Sequence, residues 1–302
     1  MHASLAIWIM QAFNGLSTFS VLLLMALGLA IIFGQMGVIN MAHGEFLTIG
    51  AYTTYLLSHA SEKWAPWLSK WYFLVAVVVA FSLAGFVGLL VEHLLIRRLY
   101  RRPLDTLLAT WGLSLIMQQT FRSAFGAREV SATLPDWLMG SLKPTPAIDI
   151  PINGLFVMGL TMGLTALVFV LLFRTRIGVD VRATMQNRAM AGAAGINTGR
   201  IDRFTFAFGC GLAGIAGAAF TTIGSTGPTS GSLYIVDTFL VVVFGGAQSL
   251  LGTIASAFTI AQTQATTEFF MTGSMAKVLT LSAVILILMA RPQGLFTLQL
   301  RR

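Results

Sequence analysis

The sequence predicts an all-helical, polytopic membrane protein that forms a single bundle over residues 1–302. Hydrophobic residues make up 56% of the chain and charged residues only 10%, whereas a typical globular domain has about 25% charged residues. The mean hydropathy is +0.81. A water-soluble fold of this length could not bury so much apolar side chain, but a lipid bilayer can accommodate it.

The apolar stretches predict eight or nine spans, some of them broken, because about 20 apolar residues cross the hydrocarbon core. Seven stretches are clear, at 7–33, 37–57, 71–96, 104–121, 152–173, 204–223 and 277–290. Residues 234–271 are also apolar, with interruptions near Gly245–Gly246 and again near Gly252. We expect two shorter spans or a re-entrant pair there. The uncharged opening run lacks the basic start of a signal peptide, so we expect an uncleaved span.

The placement of arginine and lysine predicts the orientation. One set of span ends (97–102, 174–203 and 291–302) carries 13 cations, and the opposite set (58–70 and 122–151) carries five. The positive-inside rule puts the first set in the cytoplasm, with the N-terminus outside and the C-terminus inside. The segment 122–151 is then an external loop. Cations scattered over span ends also explain the net charge of +8 without a nucleic-acid surface.

The segment 34–57 carries the most informative polar groups. Asn40, His43 and Glu45 lie within six residues, among glycines that include Gly44. An ionisable group at membrane depth must face protein or water, and it commonly marks a solute pathway. Glycines beside such groups are typical of the broken helices of transporters. These four residues are therefore candidate pathway residues. A structural role for Glu45, capping free N–H groups or pairing with His43, stays open.

An internal repeat is weakly marked. The glycine-bearing stretch 34–37 recurs 190 residues later as 224–227, and an apolar helix with an acid follows each, Glu45 and Asp237. The predicted topology starts the two stretches on opposite membrane faces, as an inverted repeat would. Asp237 and the stretch 225–232 therefore join the candidate pathway. A purely structural role for Asp237, near the outer end of its span, stays open.

The segment 174–203 predicts a short amphipathic helix at 181–194. Asp180 is its candidate N-cap and Gly195 the candidate residue after its C-terminus. The helix could lie on anionic lipid or dock a cytoplasmic partner. The candidate docking residues are Arg182, Gln186, Asn187, Arg188, Met190 and Gly195.

The chain lacks the motifs of an enzyme. No lysine follows a glycine, so there is no GxxxxGK[ST] phosphate-binding loop, and we do not expect nucleotide hydrolysis. Four histidines and the lone Cys210 form no ligand-spaced cluster, so we expect no metal or other cofactor.

Several strings carry a family resemblance. NMAHGE at 40–45 matches an N-x-AHGE signature. Further matches are GQMGVINMAHGE (34–45), RPLDTLLATWGLSL (102–115), RATMQNRAMA (182–191) and YIVDTFLVVVFGG (234–246). The sequence resembles the permeases of ABC importers for branched-chain amino acids and, more closely, those for urea. The resemblance runs from about residue 13 to RPQGLF at 291–296.

The resemblance implies an assembly in the bacterial inner membrane. This chain would form a heterodimer with a second permease, joined by two cytoplasmic ABC ATPase subunits and an external solute-binding protein. Residues 182–196 match the family's coupling helix, which rests on the ATPase. The implied function is ATP-driven import, of urea in the first place. Import of branched-chain amino acids or short amides is the alternative, and a self-sufficient urea or amide channel is the rival class.

Overall fold

The computed structural model describes residues 2–65, 67, 69–100, 102–145, 148–246 and 249–291. The helices in chain order are α1 (His2–Met36), α2 (His43–Trp64), α3 (Tyr72–Val91), a π-helix (Glu92–Ile96), α4 (Arg97–Leu99), α5 (Pro103–Phe125), α6 (Ile152–Arg174), α7 (Arg176–Gln186), α8 (Arg188–Ala193), α9 (Thr198–Phe220), α10 (Ser230–Gly245), α11 (Leu250–Phe270) and α12 (Gly273–Ala290). The predicted helical membrane bundle is confirmed.

The number of long helices agrees with the prediction. Nine helices in the described residues have 16 or more residues. Five helical stretches are long and apolar enough to cross a bilayer. They are α1, α6, α9, α12 and the continuous run that begins with α3 and ends with α4. The protein is therefore a multi-pass membrane protein.

The structure departs from the predicted boundaries at two of three places. The second span begins at His43 rather than residue 37, because α1 continues to Met36 and Gly37 then turns the chain with a φ of +63°. The break at Gly245–Gly246 is confirmed, since α10 ends there and Gly246 has a φ of +88°. The second predicted break is wrong. Gly252 lies inside α11, where its N–H donates to the capping Ser249 hydroxyl at 3.0 Å.

The segment 122–151 also contains a small antiparallel hairpin that the all-α prediction missed. Strand β1 (Ser141–Thr145) pairs with β2 (Ile148–Pro151), with Leu142 opposite Ile150. The register shifts between Leu142 and Thr145. Strand β1 reads SLKPT and has no alternating apolar pattern, and β2 alternates (IDIP) over only four residues.

Two close helix crossings form the centre of the bundle. A Cβ on Gly28 of α1 would lie 2.4 Å from the Gly209 carbonyl oxygen of α9. A Cβ on Gly44 of α2 would lie 2.2 Å from the Gly231 carbonyl oxygen of α10. Only glycine permits backbones to approach this closely.

The packing around these crossings supports the internal repeat. Helix α9 packs against α2 and α3. Helix α1 packs in the same way against α10 and α11. The unit α1–α3 thus corresponds to α9–α11. In this repeat Gly44 corresponds to Gly231, so the position equivalent to Glu45 is Ser232. The predicted equivalence of Glu45 and Asp237 is therefore wrong.

The segments 122–151 and 174–203 lie at opposite ends of the bundle, separated by the 23 residues of α6. The Ser58 hydroxyl of α2 accepts the Thr133 N–H at 3.1 Å, and Val130 bridges to Thr226. These contacts join the 122–151 segment to the C-terminal end of α2 and to the loop that precedes α10. The other end carries α4, α7, α8 and the first turn of α9.

Candidate functional site

The loop between α1 and α2 brings three of the predicted pathway residues into the bundle interior. Asn40, His43 and Glu45 are each at most 1% exposed. The Asn40 side-chain oxygen accepts the Ala42 N–H at 3.1 Å, a local turn that directs the chain into α2. We call these three residues the Glu45 site.

The Glu45 carboxylate is held by α5 through uncharged donors. Its Oε1 accepts hydrogen bonds from the Ser114 hydroxyl and the Gln118 amide, each at 2.9 Å. One turn earlier, the Thr110 hydroxyl accepts the Met41 N–H at 3.1 Å. Sequence reasoning assigned neither Ser114 nor Gln118 to the site. Their signal was a polar residue at every fourth position of an otherwise apolar helix, a spacing that forms one face.

His43 binds a different helix from Glu45. Its Nε2 lies 3.2 Å from the Met25 carbonyl oxygen of α1, a hydrogen bond in which the imidazole N–H donates. The proposed pairing of Glu45 with His43 is therefore wrong: Glu45 contacts α5 and His43 contacts α1. The two side chains thus connect the start of α2 to two separate helices.

Each residue of the Glu45 site keeps one polar atom without a hydrogen-bond partner in the described part of the chain. These atoms are Asn40 Nδ2, His43 Nδ1 and Glu45 Oε2. An unpaired buried polar group costs about 1–3 kcal/mol. The amide donates, the carboxylate accepts, and the imidazole Nδ1 accepts because the ring proton is on Nε2. The start of α2 therefore keeps hydrogen-bonding capacity that the described contacts do not use.

Gly44 has a packing role. It lies at the α2–α10 crossing, and beside it the Thr48 hydroxyl accepts the Gly231 N–H at 3.0 Å. Gly44 therefore fixes where α2 meets α10, and no side chain of its own faces a route.

The structure does not bring Asp237 to the Glu45 site. Asp237 is buried on α10, and its Oδ2 lies 2.9 Å from the Lys277 Nζ of α12. The same ammonium donates to the Leu233 carbonyl oxygen at 2.8 Å. This ion pair favours the structural role for Asp237. The stretch 225–232 is divided: the Ser225 hydroxyl donates to Glu129 of the 122–151 segment, whereas Gly231 packs against Gly44 at the start of α2.

The 174–203 segment forms two helices where one was predicted. Thr175 caps α7 by accepting the Gly178 N–H at 3.1 Å, and Asn187 caps α8 by accepting the Met190 N–H at 3.0 Å. Asp180 is not an N-cap; it lies inside α7. The continuous helix over 181–194 is therefore wrong, because the Asn187 side chain starts a new helix. Gly195 is confirmed as the residue after the helix, with a φ of +88°.

The candidate docking residues divide into outward and inward groups. Gln186, Asn187, Met190 and Gly195 are exposed. Arg182 instead lies over the Phe173 ring, with its guanidinium carbon 5.0 Å from the ring centroid.

Arg188 turns inward although part of it is exposed. It forms a two-oxygen salt bridge with the buried Asp202 of α9, and its Nη1 donates to the Tyr100 hydroxyl at 2.7 Å. Burial, and then the Asp202 charge, raise the pKa of the Tyr100 hydroxyl. Sequence reasoning missed both Asp202 and Tyr100.

Comparison with known proteins gives a family. A family model described as the branched-chain amino acid transport system / permease component matches residues 11–290. The permease protein LivH of Escherichia coli (strain K12) is 27% identical over 304 residues, and LivH of Salmonella typhimurium is 25% identical over 295; each match covers 95% of both chains. BraD of Pseudomonas aeruginosa is 25% identical over 301 residues, with the same coverage. All three are named as high-affinity branched-chain amino acid transport permeases. No solved structure matches significantly. The chain therefore belongs to the branched-chain amino acid transport permease family.

Proposed function

We propose that this chain is the membrane subunit of an ATP-driven importer. The observation that carries the proposal is α8, a separately capped helix whose Met190 side chain is 66% exposed at the end of the bundle opposite the 122–151 segment. The chain has no phosphate-binding loop of its own, so an exposed helix of this kind suits docking of a separate ATPase. Permease subunits of this type are not enzymes themselves.

The proposed assembly has four kinds of partner. A second permease forms a heterodimer with this chain, two ABC ATPase subunits dock on its cytoplasmic side, a solute-binding protein meets its external side, and lipid surrounds it. The excess of cations near 97–102 and 174–203 supports a cytoplasmic location for α8. By the same rule the N-terminus is outside and the C-terminus is cytoplasmic. Arg101 and the last eleven residues, with Arg301, Arg302 and most of the RPQGLF string, lie outside the described residues.

The Glu45 site is proposed to line the solute route in a closed state. Its residues are sealed from solvent, so passage requires a neighbouring helix to move. α5 is suited to this, because only Thr106, Thr110 and Ser114 of its 23 residues are buried. Hydrogen bonds between membrane helices average less than about 1 kcal/mol, so the polar contacts of α5 with α2 are weak enough to open.

Two solutes remain in the proposal, each with its own support. Branched-chain amino acids are the first candidate, because the relatives are named as their transport permeases. Urea or a short amide is the second. The strings at 34–45 and 182–191 resemble the urea-type branch, and the uncharged donors around Glu45 suit a neutral solute with many hydrogen bonds.

The test is uptake by the complete importer in liposomes, with radiolabelled leucine and urea, each in the presence and absence of ATP. Saturable, ATP-dependent leucine uptake that excess urea does not reduce supports the first solute, and the reverse pattern supports urea. Downhill flux of either solute through the purified chain alone, without ATP, would instead identify a channel and contradict the proposed function.

A further inference from the structure

A polar network links α8 to the last turn of α1. Arg188 of α8 contacts both carboxylate oxygens of Asp202 on α9, and the Gln35 amide of α1 lies 3.5 Å from Asp202 Oδ1. Asp202 is 2% exposed and Gln35 is 6% exposed. Gln35 of α1 therefore meets Arg188 and Asp202, from the consecutive helices α8 and α9, around one carboxylate.

The Arg188–Asp202 pair resists separation. A carboxylate buried to this degree is strongly disfavoured without its cation, and the guanidinium is fixed by two oxygens at once. Its carbon also lies 4.4 Å from the centroid of the Tyr100 ring, and the Tyr100 hydroxyl accepts a further hydrogen bond from it. A displacement of α8 will therefore carry the start of α9 with it rather than break this contact.

The network ends beside the loop that joins α1 to the Glu45 site. Gln35 is the next-to-last residue of α1, and Gly37 then takes the left-handed backbone conformation that starts the loop to Asn40 and His43. A second irregular element precedes Tyr100, namely the π-helix Glu92–Ile96. Single π-turns within α-helices are frequent at functional sites.

The network also retains unused hydrogen-bonding capacity. Gln35 Oε1 and Glu92 Oε2 are buried acceptors with no partner in the described residues. A rearrangement that brought donors to these two acceptors would satisfy more polar groups than the present arrangement does.

We propose that Asp202, held by Arg188 and contacting Gln35, is the positioning residue through which movement of α8 reaches the α1–α2 loop and the Glu45 site. The inference rests on the proposed ATP-driven import. It assigns Asp202 a role in coupling rather than in ATPase docking, since its carboxylate is buried beneath α8. Removing the charge should therefore separate ATP hydrolysis from solute movement.

The test uses the complete importer and measures ATP hydrolysis and uptake on the same liposomes. For Asp202→Asn we expect the ATPase subunits to co-purify in normal amounts and to hydrolyse ATP, while solute moved per ATP falls at least tenfold. Asp202→Glu should restore part of this ratio. Arg200→Gln is the control for a loss of charge at the same end of the bundle. The Arg200 side chain makes no described contact with Asp202.

A second readout follows the loop directly. The probe is Met41→Cys in a Cys210→Ala background, and its rate of labelling by a maleimide is measured with and without ATP. With Asp202 in place, ATP should change this rate. With Asp202→Asn added, ATP should leave the rate unchanged. If Asp202→Asn does not assemble, Gln35→Met tests the same link, with the same loss of transport per ATP expected.

The outcomes separate this inference from the proposed function. A normal transport-to-hydrolysis ratio in Asp202→Asn, or in Gln35→Met where the first variant fails to assemble, would overturn the inference alone. Absence of ATP-dependent uptake by the unaltered importer would overturn the proposed function and the inference with it.

Discussion

Helices α2 and α10 each bury one acid, and the two acids are held in opposite ways. Glu45 of α2 receives a hydroxyl and an amide from α5, and its second oxygen has no partner in the described residues. Asp237 of α10 faces an ammonium from α12 at 2.9 Å. In a low-dielectric interior the second arrangement neutralises its charge, whereas the first leaves hydrogen-bonding capacity unused. The difference shows that a charged pair fastens α10 to α12, whereas uncharged groups hold α2 to α5.

The largest effect should follow from removing the fastening cation. Lys277→Met leaves Asp237 buried and unpaired, and we expect destabilisation of up to about 3 kcal/mol, since a buried pair costs most when one partner is lost. The thermal midpoint of the purified protein measures this. Asp237→Asn combined with Lys277→Met should recover most of the loss. A single variant as stable as the unaltered protein would show that this pair does not fasten α10 to α12.

The next effect tests the crossing that relates the two halves. Gly44→Ala places a Cβ 2.2 Å from a backbone oxygen, so α2 and α10 must separate. We expect a loss of about 2 kcal/mol, typical of overpacking. Gly159→Ala on α6 is the matched control, because nothing lies within 4 Å of that Cβ. Equal stability of the two variants would contradict the close crossing.

Glu45→Gln should separate transport from stability. The amide keeps the volume and can still accept from Ser114, so we expect folding to change by less than about 1 kcal/mol. If the charge takes part in the route, uptake should fall about tenfold, which corresponds to about 1.4 kcal/mol. Uptake assays with matched amounts of assembled importer decide this. Unchanged uptake would leave Glu45 with the same structural role as Asp237.

The smallest effect concerns the contact between α5 and α2. Ser114→Ala removes one of two donors to Glu45, and we expect destabilisation of about 0.6 kcal/mol, the mean for such contacts between membrane helices. Denaturation in mild detergent measures it, with Thr120→Ala as the control, because the Thr120 hydroxyl bonds only within its own helix in the described structure. A loss as large as that of Lys277→Met would erase the contrast between the two acids.

Apolar runs were sufficient to predict the helices, but not where the backbone breaks. Gly246 and Gly252 look alike in sequence, yet Gly246 ends a helix with a φ of +88° while Gly252 lies within one. A glycine inside a helix costs only about 1 kcal/mol, which packing readily offsets. Asn187 escaped notice for a related reason, since only the folded chain shows its side chain capping α8.

The candidate site was predictable only where its residues are close in sequence. Asn40, His43 and Glu45 share one short segment, and the structure places them together. Their partners come from far along the chain: Ser114 lies 69 residues from Glu45, and Lys277 lies on a different helix from Asp237. Periodicity indicates which face of a helix is buried, but it does not name the helix that covers that face.

The glycine crossings at Gly28–Gly209 and Gly44–Gly231 have a consequence for motion. Where main chain rests directly on main chain, few side chains interlock, with Ile32 beside Gly209 and Ile235 beside Gly44. A small rotation of one helix on the other therefore needs few rotamer changes. Each crossing can then act as a pivot. The helices at the outside of the bundle can rotate about it without rearrangement of the tightly packed interior.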